Sequence, residues 1–462
     1  MRARYGIIAR QKATCVRNFA KSAILLFLAL RVGDAVNLAA GMWFVPKYVS
    51  PEEIGAVLPL TSFATFLSLP VFAFAMTVMK ESAVLHAAGE RAKVKSLLSG
   101  VFVAAGATLA AVLVVTCFAV PHFLKAMRVS DASAGILVVS AAFLGCVAPV
   151  YTDALQSMKR FKSLAAIEVC GAVVRFFAML ATMPFRALAG YFAGQAALPA
   201  FRIAGSVIAL RRDLSVPAEP YWSRETVRRV VLAFLAVCAY QIAPMAAALV
   251  EQTTLRTGLS AADSAGYYMV SRFSDFLYYL TFPLLLVMFP YTADAARRSA
   301  PTSPYVLKCM AATLAAATLM SATYFFFGKE LLALMPHGSE YAAYAKYMPW
   351  LVPIAALTTC QVFHTNAEVS AGRFGFLLWL VPLHVVYAVA LKLRFSGGNT
   401  PDMTQLLCWF SAMSLLRFVC SAVSLSGNAF PRMITSGNTT PAKWPRPVWK
   451  TPRDGGEAPR RT

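Results

Sequence analysis

Twelve apolar stretches follow one another along the chain, each long enough to cross a lipid bilayer as an α-helix. The first, residues 22–44, reads SAILLFLALRVGDAVNLAAGMWF, and at about 1.5 Å per residue such a helix spans a hydrocarbon core of roughly 30 Å. Charged residues make up only 14% of the chain, where a soluble domain has about 25%. We therefore predict an all-α polytopic membrane protein. Its helices are expected near residues 22–44, 56–78, 97–120, 132–152, 164–184, 187–210, 229–250, 264–290, 305–328, 343–366, 374–393 and 404–425.

Basic residues are distributed unevenly among the predicted joints between helices. The formal net charge is +22, and most Lys and Arg residues lie in the N-terminal arm, in every second joint and in the C-terminal tail. Cytoplasmic joints of membrane proteins carry such an excess, so both termini are predicted to be cytoplasmic. The positive charge then reflects topology and contact with anionic membrane lipid, and nucleic acid is not an expected partner. The nine cysteines form no CxxC pair and predict no disulfide framework.

Residues 151–161 and 364–374 resemble each other. Their sequences YTDALQSMKRF and HTNAEVSAGRF share Thr, Ala, Ser, Arg and Phe at matching positions, and they close the fourth and tenth predicted helices. We therefore predict two parallel repeats of six helices around a central cleft. The predicted parts are a basic cytoplasmic arm (1–21), an N-terminal six-helix half (22–210), a cytoplasmic linker (211–228), a C-terminal six-helix half (229–425) and a basic, disordered cytoplasmic tail (426–462).

Two charged pairs with the same spacing lie inside predicted spans. Arg31 precedes Asp34 in the first span, and Arg272 precedes Asp275 in the eighth. Residues three apart share one face of a helix, so each pair can partly neutralise itself. Charges at this depth normally face a bundle interior or a watery cavity. The two RxxD pairs therefore predict a polar path lined by both halves, although each pair would also serve as a purely structural ion pair.

Three segments of the chain are distinctive. They are residues 48–70, YVSPEEIGAVLPLTSFATFLSLP, with GERAKVKSLL following at 89–98; residues 155–169, LQSMKRFKSLAAIEV; and residues 265–290, AGYYMVSRFSDFLYYLTFPLLLVMFP. They resemble, in turn, the second-helix region, the segment between helices four and five, and the eighth helix of bacterial polysaccharide transporters. Those transporters belong to the multidrug, oligosaccharidyl-lipid and polysaccharide (MOP) exporter superfamily.

The resemblance implies an O-antigen flippase-like protein of the bacterial inner membrane. Such proteins move an isoprenoid-diphosphate-linked saccharide, a unit of O-antigen, capsule or exopolysaccharide, between leaflets by alternating access. The implied partners are the lipid-linked oligosaccharide, membrane lipid, a coupling proton or cation and polysaccharide-assembly proteins. In the related lipid II flippases, arginines of helices one and eight line the cleft, and Arg31 and Arg272 lie in those helices here.

Arginine is the side chain best suited to a diphosphate, because its planar fork binds phosphate oxygens in pairs and keeps its proton. Glu168 and Arg175 are seven residues apart on one face of the fifth helix and are placed to pair, but Glu168 lies near the predicted cytoplasmic end, where an ordinary interfacial acid is the preferred interpretation. No metal site and no cofactor are expected, because His364 and His384 lack a carboxylate cluster or an HExxH motif. The candidate cavity residues are Arg31, Asp34, Arg272, Asp275, Arg175, Arg202 and Arg417.

Two other functions remain open from the sequence. The first is a MATE-like drug or cation antiporter of the same superfamily, for which a cavity dominated by acidic residues would be expected. The second is a polytopic membrane glycosyltransferase or ligase, which would carry a long outer loop with catalytic charge. The predicted outer joints are short, which argues against such an enzyme. No GxxxxGK[ST] phosphate loop is present, which argues against a primary pump. A non-enzymatic transporter is therefore the preferred prediction.

Overall fold

The computed structural model describes residues 27–87, 89–158, 160–297, 301–371, 373–395 and 401–425. Within these ranges the chain forms twelve long α-helices and no strand, which confirms the predicted fold class. The basic arm (1–21) and the C-terminal tail (426–462) lie outside the described residues, so the predicted disorder of the tail stays a prediction.

Six helices precede the central connection of the chain. They are α1 (Phe27–Tyr48), α2 (Val57–Ala87), α3 (Arg91–Ala126), α4 (Ala132–Ser157), α5 (Phe161–Thr182) and α6 (Ala187–Leu214). α1 contains a π-helical turn at Ala40–Phe44, and the short helical segment Pro51–Ile54 lies between α1 and α2.

Six more helices follow. They are α7 (Arg224–Gly258), α8 (Ala261–Arg297), α9 (Ser303–Ala333), α10 (Met348–Ser370), α11 (Leu377–Arg394) and α12 (Met403–Leu425). A 3₁₀ segment, Gly338–Tyr347, joins α9 to α10. Among the described residues, eight helices are long and apolar enough to cross a membrane, namely α1, α3, α4, α5, α6, α9, α11 and α12.

The repeated segments end their helices in the same way. At the end of α4, the Arg160 N–H donates to the Leu155 carbonyl at 2.9 Å, and after α10 the Arg373 N–H donates to the Glu368 carbonyl at 2.9 Å. Both are hydrogen bonds to the residue five positions earlier, as in a Schellman ending. The sequence repeat therefore corresponds to a repeated backbone conformation at matching ends of α4 and α10.

The buried core is shared by the two halves at one end of the bundle and divided at the other. One cluster contains Ile54 and Met127 of the first half together with Leu259 of the second. At the opposite end the first half has its own cluster around Leu97, and the second has another around Phe363. We call the first end, with the α1–α2, α3–α4 and α7–α8 joints, the sealed face. The other end, with the α2–α3, α4–α5 and α8–α9 joints, is the split face.

Asp131 caps the N-terminus of α4 at the sealed face, where its carboxylate accepts a hydrogen bond from the Ser133 N–H at 2.8 Å. Replacing Asp131 with Ala is expected to lower the free energy of unfolding by about 0.5–2 kcal/mol. Hydrogen bonds from Ser133 are the main cause that lowers the pKa of Asp131. The Asp131 carboxylate therefore stabilises the fold fully at pH values above the pKa that it has in the unfolded chain. This stabilisation is lost as the pH falls through the lower pKa that it has in the folded protein.

Thermal unfolding of the purified protein in detergent, at pH 7 and in acid, measures this effect. The Asp131→Asn variant is the control, because Asn also caps helices well but does not titrate. If Asp131→Ala lost the same amount of stability at both pH values, the stabilisation could not be assigned to the ionised carboxylate.

Candidate functional site

The two RxxD pairs each form an ion pair along one helix face. Arg31 lies 2.8 Å from Asp34 in α1, and Arg272 lies 3.0 Å from Asp275 in α8. Arg31 also donates through Nη1 to the backbone carbonyl of Tyr279 in α8 at 2.5 Å. The pairs from the two halves therefore face the same interior region, as the spacing predicts. Their role in substrate binding stays a prediction.

α1 and α8 approach closely because of one glycine. The Tyr268 hydroxyl of α8 donates to the Gly41 carbonyl of α1 at 3.0 Å. A Cβ atom at Gly41 would lie only 3.2 Å from Cδ of Arg272. The glycine lies within the π-helical turn of α1, and it allows the Arg272 side chain to pass directly against that helix.

Glu168 pairs with Arg202 of α6, at 2.5 Å, and not with Arg175 as the sequence suggested. Seven residues along one α-helix correspond to about 10 Å of rise, whereas α5 and α6 pack side by side and bring Glu168 directly to Arg202. This pair is close enough to Asp34 for both of its members to interact with that carboxylate electrostatically. α1, α5 and α6 thus contribute to a single charged cluster.

Among the residues that the structure describes, Arg175 is the buried charge of this cluster that has no acidic partner. Only 2% of its surface is exposed, and no protein group among the described residues hydrogen-bonds its Nε or Nη2. Tyr191 of α6, Tyr279 of α8 and Arg202 are its electrostatic neighbours. Arg175 therefore lies between the two halves, with two tyrosines and another arginine around it.

Arg417 of α12 lies 3.5 Å from Glu251 of α7, and its guanidinium lies 5.8 Å from the centre of the Tyr387 ring. The sequence prediction missed Glu251 because the apolar run of the seventh span stops at residue 250, whereas α7 continues to Gly258. The polar stretch from 251 to 257 before that glycine was the available signal.

A second missed residue, Arg256, joins the halves at the sealed face. Its side chain is fully buried. Nε donates to the Met127 carbonyl at 3.0 Å, and Nη2 donates to the carbonyl of Glu52. Arg256 belongs to the second half and both acceptors to the first. This arginine therefore holds the α1–α2 and α3–α4 joints against α7.

A cavity of about 600 Å³ lies between α1, α8 and α9, and we call it the lateral groove. Arg31 and Asp34 line it, and most of its other lining side chains are apolar. Those lining residues are Ala35, Leu38, Phe273, Phe276, Tyr279, Leu280, Met320, Thr323, Tyr324 and Leu331. The groove thus combines a charged pair with an apolar wall.

The part of the chain that the structure describes contains no group of three or more His, Cys, Asp and Glu side chains that could hold a metal ion. His364 stacks beside Trp379 with ring centres 6.3 Å apart, and His384 contacts the Leu380 carbonyl through Nδ1 at 2.7 Å. The two histidines therefore have separate packing roles, and the expected absence of a metal site stays a prediction.

No protein-family model matches the chain, and no curated protein sequence matches it significantly. Solved structures match it over nearly their whole length. An inward-facing multidrug resistance MATE family transporter of the MOP superfamily aligns with a TM-score of 0.61 and 13% identity over 88% of this chain and 98% of its own. The chain has the fold of MOP-superfamily transporters.

Two further structures with this transporter fold show its range. An outward-facing MATE family transporter has a TM-score of 0.58 and 12% identity over 88% of this chain and 95% of its own. A MOP-superfamily transporter from Pyrococcus furiosus, described as having a binding pocket of reverse polarity that suggests a different function, has a TM-score of 0.60, 12% identity and the same coverages. The fold is thus shared, and the substrate has to be inferred from this chain's own side chains.

Proposed function

We propose that this transporter-fold protein exports an amphipathic anion, and the unpaired Arg175 is the observation that carries the proposal. Four other arginines of the interior each have an acidic partner. The pairs are Arg31–Asp34, Arg202–Glu168, Arg272–Asp275 and Arg417–Glu251. Arg175 therefore leaves the cluster with an excess positive charge. A guanidinium does not lose its proton, and a buried charge without a counter-charge is costly. An anionic head group compensates it.

The lateral groove supports an amphipathic rather than a fully polar substrate. Its apolar wall suits a hydrocarbon tail, while Arg31 lies at the boundary between the groove and the charged cluster. A head group that contacts Arg31, Arg175 and Arg272 would keep its tail in the groove. An isoprenoid-diphosphate-linked saccharide has both parts, so we propose it as the substrate class.

The division of the core supports alternating access as the mechanism. The halves share buried residues at the sealed face and have separate clusters at the split face. Loss of the shared contacts and closure at the split face would expose the charged cluster to the other side. Because the basic residues are concentrated in the joints of the split face, we propose that this face and both termini are cytoplasmic. We propose the bacterial inner membrane as the location of the protein. Glycan-assembly proteins acting on the same carrier are proposed partners.

The comparisons favour a second candidate, a drug or cation antiporter. Two of the structural neighbours are described as multidrug resistance transporters. This description favours drug or cation transport over saccharide flipping. A cation would use the carboxylates of Asp34, Asp275 and Glu251, and its transport would be coupled to a proton or a metal cation. Because these neighbours are transporters, we propose no glycosyltransferase or ligase activity.

Transport by the purified protein in liposomes tests the two candidates against each other. One assay follows flipping of a fluorescent isoprenoid-diphosphate sugar between leaflets, and the other follows ethidium uptake under an imposed proton or sodium gradient. We expect flipping of the diphosphate sugar above the rate in protein-free vesicles and no gradient-driven ethidium uptake. Ethidium uptake without flipping would replace the anion exporter by the antiporter.

A further inference from the structure

A second cavity, of about 210 Å³, lies inside the first half between α2, α4 and α6, and we call it the N-half pocket. At about 30 Å³ per water molecule this volume corresponds to roughly seven waters, which is the scale of a single sugar ring. Small residues of α4 keep it open, and a Cβ atom at Gly145 would meet nothing within 4 Å. The lining residues are Thr61, Ala64, Thr65, Ser68, Ala141, Ala142, Gly145, Phe192, Gln195, Leu198, Pro199 and Arg202.

The α2 wall of the N-half pocket presents hydrogen-bond acceptors. Thr61 donates its hydroxyl proton to the Val57 carbonyl at 2.7 Å, and Thr65 donates to the Thr61 carbonyl at 2.9 Å. Ser68 donates to the Thr65 carbonyl at 2.7 Å. Each hydroxyl donates its single hydrogen to a backbone carbonyl of its own helix. The lone pairs of its oxygen are therefore available to accept a hydrogen bond from a ligand.

The α6 wall presents donors. Gln195 contributes an amide with two N–H groups and one carbonyl. Arg202 uses Nη2 for Glu168, while its Nε has no hydrogen-bond partner among the described residues. Phe192 and Pro199 add apolar surface between the polar groups. The α2 wall of the pocket therefore offers acceptors, and the α6 wall offers donors together with the Gln195 carbonyl.

We infer that the N-half pocket binds one sugar ring, through hydroxyls that donate to α2 and accept from α6. A sugar hydroxyl does both, and an apolar ring face fits beside Phe192. An anion would face three acceptor oxygens of α2 and a cation would face Arg202. An apolar drug would displace water from the acceptor oxygens and from the Gln195 amide without replacing the hydrogen bonds. A neutral polyhydroxylated ring matches both walls.

The position of Arg202 connects this pocket to the charged cluster, because Arg202 lines the pocket and interacts electrostatically with Asp34. The inference deepens the proposed function and depends on it: with the diphosphate at Arg175 and Arg31, the first sugar of the same molecule lies next to Arg202. The ring recognised here is either part of the lipid-linked substrate or a free monosaccharide.

Binding to the purified full-length protein in detergent tests the inference with three probes. They are farnesyl diphosphate, the same diphosphate carrying one N-acetylglucosamine, and free N-acetylglucosamine. We expect the glycosylated probe to bind about tenfold more tightly than farnesyl diphosphate, as one or two good hydrogen bonds would give. Gly145→Leu, which fills the pocket, and the double variant Thr61→Val with Thr65→Val, which removes two acceptors, should each abolish that preference and leave farnesyl diphosphate binding unchanged.

Gly106→Leu is the matched control, because this helical glycine of α3 also has nothing within 4 Å of a built Cβ but lines no part of the pocket. It should keep the tenfold preference. Equal binding of the two diphosphates by the unaltered protein would overturn the sugar pocket and leave the anion site standing. Failure of farnesyl diphosphate itself to bind would overturn the proposed function and, with it, this inference. Competition by free N-acetylglucosamine that Gly145→Leu abolishes would assign the pocket to the free sugar as well.

Discussion

Replacing Arg175 with Met is expected to abolish anion transport and, at the same time, to raise the stability of the protein. The side chain is 2% exposed and has no acidic partner in the described part of the chain, so its removal relieves a buried, uncompensated charge. Replacement of a buried ion pair by apolar side chains stabilises proteins by roughly 1–4 kcal/mol in favourable cases, and Arg175 lacks the attraction that offsets the cost of burial in such a pair. Transport should fall to the level of protein-free liposomes, because the excess positive charge that holds the head group is gone.

Arg417→Met is the matched control for this prediction. It removes a guanidinium of similar burial, 7% exposed, but leaves Glu251 inside the protein without its partner. Breaking such a pair costs about 3–5 kcal/mol, so the unfolding temperature in detergent should fall where that of Arg175→Met rises. Lower stability of Arg175→Met, or unchanged transport of the diphosphate sugar, would show that Arg175 is a structural residue rather than the head-group site.

Replacing Arg256 with Met is expected to open the sealed face. The fully buried guanidinium donates to the carbonyls of Met127 and Glu52 across the boundary between the halves. Hydrogen bonds from a charged donor contribute roughly 1.5–3 kcal/mol each. Losing both should shift the equilibrium away from the sealed conformation by about a hundredfold or more. Distances between spin labels at Ser50 and Thr257, in a background without native cysteines, measure this opening directly.

Arg186→Ala is the control for the sealed face. Arg186 lies on the same end of the bundle but is exposed, and its partner Asp131, at 3.6 Å, belongs to the same half. The label distance in this variant should equal that of the unaltered protein. An unchanged distance in Arg256→Met as well would mean that the shared apolar core alone closes this face, and Arg256 would then have no role in the change of access.

The features predicted correctly from the sequence are those set by local geometry. Residues three apart share a helix face, and this spacing was enough to predict that Arg31 and Asp34 pair, as Arg272 and Asp275 do. Apolar runs of spanning length predicted twelve helices, and the structure contains twelve in the residues it describes.

The features that the sequence did not reveal depend on how neighbouring helices are rotated and tilted. Glu168 has Arg175 on its own helix and Arg202 on the next, and only the packing of α5 against α6 selects Arg202. Glu251 and Arg256 follow the apolar run of the seventh span, so hydropathy alone placed them in a joint rather than in α7. Their partners are far away in the chain and come from α12 and from the joints of the first half.

By itself, the sequence determined that this chain has helices long and apolar enough to cross a membrane repeatedly, that one short pattern recurs where α4 and α10 end, and that two RxxD pairs lie within apolar runs. These properties follow from hydropathy, helix length and residue spacing, which act within one segment. The tertiary structure alone decided which of those charges are neutralised. An ion pair between helices depends on distances of a few ångströms that no single helix specifies. For this reason Arg175 became recognisable only in the folded chain as the arginine of the charged cluster that has no acidic partner among the described residues.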